Sequence, residues 1–202
     1  MPVIENTMMI LLLWAVLGYL IGSIPFGVVV ARLMGLGNLR DIGSGNIGAT
    51  NVLRTGSKPA AAATLILDAG KGAVVLLLAR NIAGEDAAQI AALAAMLGHC
   101  YPVWLKFNGG KGVATFLGIL LALAWPAGIG ACLAWLAAAA ITRMSSVAGL
   151  VAAAASSILV ILTGYGIAYL LCVVLTVIVV WRHRSNIARI KAGTEPKIGK
   201  KG

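Results

Sequence analysis

Met8-Met-Ile-Leu-Leu-Leu-Trp-Ala-Val-Leu-Gly-Tyr-Leu-Ile-Gly-Ser-Ile-Pro-Phe-Gly-Val-Val-Val30 runs for 23 residues without a charge. A helix of that length crosses the ~30 Å hydrocarbon core of a bilayer. The pattern repeats at 59–80, 86–106, 112–124, 126–141, 145–163 and 166–181. Hydrophobic residues make up 60% of the 202-residue chain and its mean hydropathy is +0.98. The expectation is an all-α polytopic membrane protein with about seven transmembrane helices. They form a single transmembrane domain over 1–202, with no room for a separate soluble unit. Several runs are short and glycine-rich, as tightly packed helices require. Only Trp125-Pro126 divides 112–141, which can also be read as one long helix.

Charge separates the two counts. With seven spans, Arg32, Arg40, Arg54, Lys58, Lys106, Lys111 and Arg143 share a face with Arg182, Arg184, Arg189, Lys191, Lys197, Lys200 and Lys201. That leaves only Arg80 opposite and Lys71 inside a span, out of 16 basic residues. Six spans would send Arg143 and the basic tail to the other side. The positive-inside rule therefore favours seven, with the N-terminus outside and a cytoplasmic tail over 183–202. The tail is expected to start as a surface helix and to end in a mobile Lys-Gly run.

The net charge of +10 is read as topology and attraction to anionic lipid; no soluble domain carries it toward nucleic acid. Glu5 precedes a run too long for a cleaved signal peptide. Cys100, Cys132 and Cys172 are unclustered and read as small hydrophobes. The outer connections, Asn81–Asp86, Trp125-Pro126 and Thr163–Gly166, are minimal, so the polar chemistry gathers on the inner face.

That chemistry lies in three segments. Gly43-Ser-Gly-Asn-Ile-Gly-Ala-Thr-Asn51 fits the letters of a dinucleotide fingerprint but follows a membrane span, not a strand, so the match is spurious. Its glycines can still turn backbone N–H groups onto an anion. Ser44, Thr50 and Asn51 add neutral donors, and Arg54 adds a fork suited to phosphate. Gly109-Gly-Lys-Gly112, followed by Thr115, lacks Walker spacing. A lysine among glycines at the start of a span nonetheless offers free N–H groups, the helix dipole and a point charge. In the third segment, His183 and Asn186 lie at i and i+3 beside two arginines, as a pair of donors to a phosphorylated substrate.

Asp68 and Lys71 interrupt an apolar run at i and i+3. They read as a mutual ion pair, as a source of positive potential for the site through Lys71, or as both. His99 suits a hydrogen-bonded structural role at least as well as catalysis. Two histidines without a carboxylate or cysteine cluster imply no metal. Glu195 can orient a cation or bind a hydroxyl, and Arg143-Met-Ser-Ser146 is a further polar inner turn.

Taken together, the segments resemble the acyl-phosphate:glycerol-3-phosphate acyltransferases, the PlsY type of bacterial membrane enzymes. The matching stretches are Gly22–Gly27, Gly43–Asn51, Asp68–Gly72, Gly98–Thr115, His183–Ile187 and Gly193–Glu195. Their order around the spans is more specific than any one of them. The resemblance implies transfer of a fatty acyl group from acyl phosphate to the 1-hydroxyl of glycerol 3-phosphate. Lysophosphatidic acid and phosphate are the products, at the cytoplasmic face of the inner membrane. It implies no cofactor, membrane lipid as a partner, and a soluble enzyme that makes the acyl phosphate. The alternative class is a transporter of a phosphorylated solute.

The two substrates bring roughly three to four negative charges that must be neutralised. The expected catalytic set is Ser44, Arg54, Lys111, His183 and Asn186. Phosphate binding is expected from Gly43, Gly45, Asn46, Thr50, Asn51, Lys71, Gly109, Gly110, Gly112, Thr115, Ser146 and Glu195. The attacking hydroxyl's proton goes to a histidine, His183 before His99, or to the leaving phosphate itself. An acyl phosphate is already activated, which favours the phosphate.

Overall fold

A computed structural model describes residues 1–199, and every described element is helical. The Lys-Gly run of the tail lies outside the described residues. Helix α1 (Met8–Gly22) starts on Thr7, whose hydroxyl accepts from the Ile10 N–H. The first apolar run is not one rod. It breaks at Ser23-Ile-Pro25, because Pro25 has no N–H to continue the ladder, and resumes as α2 (Phe26–Leu33). A polar loop and the short α3 (Ala49–Leu53) lead to α4 (Lys58–Ala83), capped by Ser57 with Pro59 in its first turn. Gly84, at φ +88°, turns the chain directly into α5 (Glu85–Cys100).

Helix α6 (Val113–Leu123) and α7 (Trp125–Thr142) are parted by Ala124 alone, with Pro126 in the first turn of α7. The break falls where Trp125-Pro126 marks it, so 112–141 is not one helix. Helix α8 (Ser145–Leu162) follows, then α9 (Tyr169–Arg182) and α10 (Arg184–Lys191), the last two bent by 60° about His183.

Among the described residues, five segments are long and apolar enough to cross a membrane: Met8–Leu33, Lys58–Ala83, Glu85–Leu105, Trp125–Thr142 and Ser145–Leu162. The bent pair from Gly166 to Lys191 makes a sixth. The expected span at 112–124 yields a helix of only 11 residues. At 1.5 Å per residue that is roughly 16 Å, about half the hydrocarbon thickness. Burial explains the shortness: Phe116, Ile119 and Leu120 are fully buried, packed among Leu76, Met96 and Leu175. The long helices instead expose Leu13, Ile66, Leu133, Ile141, Ile158 and Leu162, as lipid-facing surfaces do.

Small residues set the closest approach. A Cβ on Gly22 would lie 2.2 Å from the Ala95 carbonyl oxygen, so α1 and α5 pack backbone to backbone. Arg80, the basic residue expected alone on the outer side, has a structural task. It pairs with Glu85 at 2.9 Å and donates to the Ala122 and Leu123 carbonyls, closing the free end of α6. All three cysteines are free thiols.

Candidate functional site

The three polar segments meet around one cavity of about 330 Å³. Ser44, Asn46, Thr50, Asn51 and Arg54 form one wall, Lys111 to Ala114 a second, and Ser146, His183, Asn186 and Glu195 a third. Leu65, Leu117, Trp135 and Leu136, from α4, α6 and α7, supply an apolar side. The pocket is thus polar at one end and greasy at the other.

Asn51 organises the first wall. Its buried amide donates to the Leu39 carbonyl at 2.9 Å. Its Oδ1 accepts from the Ser44 N–H at 3.0 Å and from Arg54 Nη1 at 3.2 Å. Gly27 lets this loop rest on α2, since a Cβ there would sit 1.8 Å from the Ile47 carbonyl oxygen. Gly43 lies behind Arg54, where a side chain would strike the Arg54 Cδ at 2.5 Å. Gly43 and Gly45 serve this wall through positive φ values of +52° and +65° without lining the cavity.

The second wall differs from expectation. The Gly109 and Gly110 N–H groups are not free for an anion. They donate to the Cys100 and His99 carbonyls at 3.1 Å each, tying the turn to the end of α5. Gly110 must be glycine because a Cβ would meet the His99 ring at 2.2 Å. The backbone donors left for an anion are those at the start of α6, which Gly112 opens in a left-handed conformation beside Lys111. Burial first, then the charge of Arg189, push the Lys111 amine down to about 8; Glu195 opposes them, and Arg54 and Arg182 add smaller pushes.

On the third wall the buried Glu195 is fully occupied. One carboxylate oxygen accepts from Ser146 and Asn186 at 2.6 Å each, and the other from Arg189 Nε at 2.8 Å. It latches the tail and α10 onto the start of α8, and its pKa is lowered by these bonds against the cost of burial. That use leaves neither Glu195 nor Ser146 free as expected for phosphate. His183 Nδ1 pairs with the Val179 carbonyl at 2.8 Å, a bond that only a protonated Nδ1 can make and that leaves Nε2 with its lone pair. Asn186 donates one amide N–H to Glu195, while its Oδ1 is buried without a partner among the described residues. His183, expected as a donor to phosphate, therefore presents an acceptor at Nε2, which suits a hydroxyl group. Burial holds His183 down at about 4, so its ring is neutral near pH 7.

Lys71 and Thr115 lie behind the cavity. Lys71 Nζ sits 2.8 Å from Asp68 and donates to the Ile24 carbonyl at the Ser23–Pro25 break. Thr115 donates to the Asp68 carbonyl. The ion-pair reading of Lys71 accounts for its contacts; its amine does not reach the pocket. Asp68 and His99, 3.6 Å apart, form part of the floor. Sequence reasoning passed over Arg40, Arg182 and Arg189, which grip backbone or Glu195 across the site. Arg40 stands near Gly43, and Arg182 and Arg189 flank the His183–Asn186 segment, which was the signal available.

The pocket's features converge with comparisons to known proteins. The family model described as glycerol-3-phosphate acyltransferase matches residues 12–193. The chain belongs to the glycerol-3-phosphate acyltransferase family. A relative of that name from Roseobacter denitrificans is 66% identical, covering 98% of this chain and 99% of its own. Another, from Ruegeria pomeroyi, is 65% identical over all of this chain and 99% of its own. The crystal structure of PlsY (YgiH), an integral membrane glycerol 3-phosphate acyltransferase, in its glycerol 3-phosphate form, matches with a TM-score of 0.88 at 37% identity. It covers 94% of this chain and 96% of that one. The lysophosphatidic acid form matches at 0.85 and 35% identity, covering 94% and 95%. As a member of this acyltransferase family, the chain is an integral membrane enzyme of phospholipid synthesis, and the transporter alternative falls away.

Proposed function

We propose that this acyltransferase uses acyl phosphate as donor and acylates the 1-hydroxyl of glycerol 3-phosphate at the cytoplasmic face of the inner membrane. The observation that carries the reading is the meeting of Arg54, Lys111 and His183, far apart in sequence, around one pocket with an apolar side. Arg54, Lys111 and the first N–H groups of α6 hold phosphate oxygens, with Ser44, Asn46 and Thr50 completing the shell. Such charge-assisted bonds contribute about 1.5–3 kcal/mol each. His183 Nε2 reads a glycerol hydroxyl, with Asn186 beside it in the pocket wall. Leu65, Leu117, Trp135 and Leu136 receive the start of the acyl chain.

The hydroxyl oxygen attacks the acyl carbon, the bond from that carbon to the phosphate oxygen breaks, and phosphate departs. Positive charge around the pocket steadies the growing charge on carbonyl and phosphate oxygens, and holding both substrates supplies the positioning. The proton goes to the departing phosphate. Burial makes the His183 ring a poor proton acceptor, whereas the phosphate gains basicity as its bond to the acyl carbon breaks.

The membrane arrangement follows the same reading: seven crossings, with the half-length α6 counted as one, and the N-terminus outside. It is supported by the gathering of Arg54, Lys111, Arg182 and Arg189 around the same pocket, as the positive-inside rule requires. A soluble enzyme that makes acyl phosphate would then deliver it from the cytoplasm. The test is purified protein in detergent, given acyl phosphate with and without glycerol 3-phosphate. Phosphate release and lysophosphatidic acid should both require the acceptor; release at the same rate without it would sink the reading.

A further inference from the structure

The turn over Asn108, Gly109 and Gly110 shows an unusual use of its backbone. Arg182 Nε donates to the Gly110 carbonyl at 3.0 Å and Nη2 to the Gly109 carbonyl at 2.9 Å. Arg40, from the first wall, takes the Asn108 carbonyl and also donates to the Gly45 carbonyl at 3.1 Å. Three successive carbonyls are thus held by two guanidinium groups. The N–H groups of Gly109 and Gly110 are spent on α5, so no polar backbone atom of these two glycines remains for a substrate. Arg182 itself does not line the cavity; its guanidinium stacks 4.9 Å from the centre of the Tyr101 ring.

We propose that Arg182 is a positioning residue: it grips the two glycine carbonyls so that Lys111, next along the turn, and His183, next to Arg182, keep a fixed separation. Arg182 ends α9 and His183 follows it at the bend into α10. Gly110 directly precedes Lys111. One side chain therefore ties the phosphate-holding wall to the hydroxyl-reading wall across 72 residues of chain. A lysine keeps the charge but cannot bond two neighbouring carbonyls with a planar fork. The idea rests on the reading of Lys111 as a phosphate ligand.

The experiment compares Arg182→Lys, Arg182→Gln and Lys111→Ala, purified in detergent. For each, kcat and KM for both substrates are measured, with melting temperature and hydrogen exchange of the 106–113 segment. In Arg182→Lys, KM for a phosphate substrate should rise about tenfold, kcat should fall, and exchange in the segment should quicken. Arg182→Gln should move further the same way. Wild-type constants in Arg182→Lys, or activity lost only in proportion to folded protein with KM and exchange unchanged, would overturn the proposal. If instead Lys111→Ala leaves every KM untouched, the phosphate reading of Lys111 fails, independently of Arg182. Should Arg182→Gln not fold, the lysine variant and its exchange rates decide.

Discussion

Raising the pH should disable this enzyme through Lys111. The ammonium is half-buried among Arg189, Arg54 and Arg182, and it loses its proton at about 8 in the free site. The protonated fraction is then about 90% at pH 7, about 50% at pH 8 and about 10% at pH 9. If only the charged form takes phosphate, kcat/KM falls about tenfold between pH 7 and pH 9 and tenfold more per unit beyond. The phosphate groups themselves are doubly ionised above their ~6 ionisation, so they add no slope in that range. The assay is the initial rate of lysophosphatidic acid formation from pH 7 to 9.5, each point corrected for spontaneous acyl phosphate hydrolysis. Lys111→Arg provides the control, since a guanidinium stays charged throughout: its rate should be lower but flat with pH. Stability runs the opposite way. The folded pKa lies below the unfolded one of 10.5, so the unfolded chain holds more protons between about 8 and 10.5, and this residue's contribution to stability rises across that window. A profile flat to pH 9.5, or an alkaline fall that survives in Lys111→Arg, refutes the reasoning.

Three further outcomes are expected. His183→Gln should keep measurable turnover with KM for glycerol 3-phosphate raised about tenfold, the loss of one hydrogen bond; complete loss of turnover with both substrates still bound would make His183 the base. Glu195→Ala removes three bonds and strands the Ser146 and Asn186 donors, so melting temperature and activity should both drop, and Glu195→Gln should recover part of each. Gly110→Ala drives a methyl into the His99 ring, and steady-state kinetics should show KM for the phosphate substrates rising while α5 and α6 stay helical by circular dichroism.

The apolar runs were legible because a lipid-facing helix must be apolar along its length, and Trp125-Pro126 marked a real break, whereas Pro25 divides a run read as one span. The length of α6 was not, since residues 112–124 are as greasy as any lipid-facing stretch and only burial reveals that they fill the centre. Much of the pocket's polar lining could be read from charge and glycine content, while Gly43, Gly45, Lys71, Gly109, Gly110 and Thr115 lie outside it. The direction of each hydrogen bond could not: His183 is left an acceptor by Val179 and Asn186 donates to Glu195, partners that residue type alone does not name. The grip of Arg182 on carbonyls 72 residues away left no trace in local pattern, because any backbone offers carbonyls.

Glu195 carries a consequence for biosynthesis. It is made late, with only Pro196 of the pocket lining after it, and it fastens Ser146, Asn186 and Arg189 together. A nascent chain already inserted up to α9 therefore owns its cations and its greasy slot but lacks the clasp that closes them. The pocket is closed only once the tail has docked.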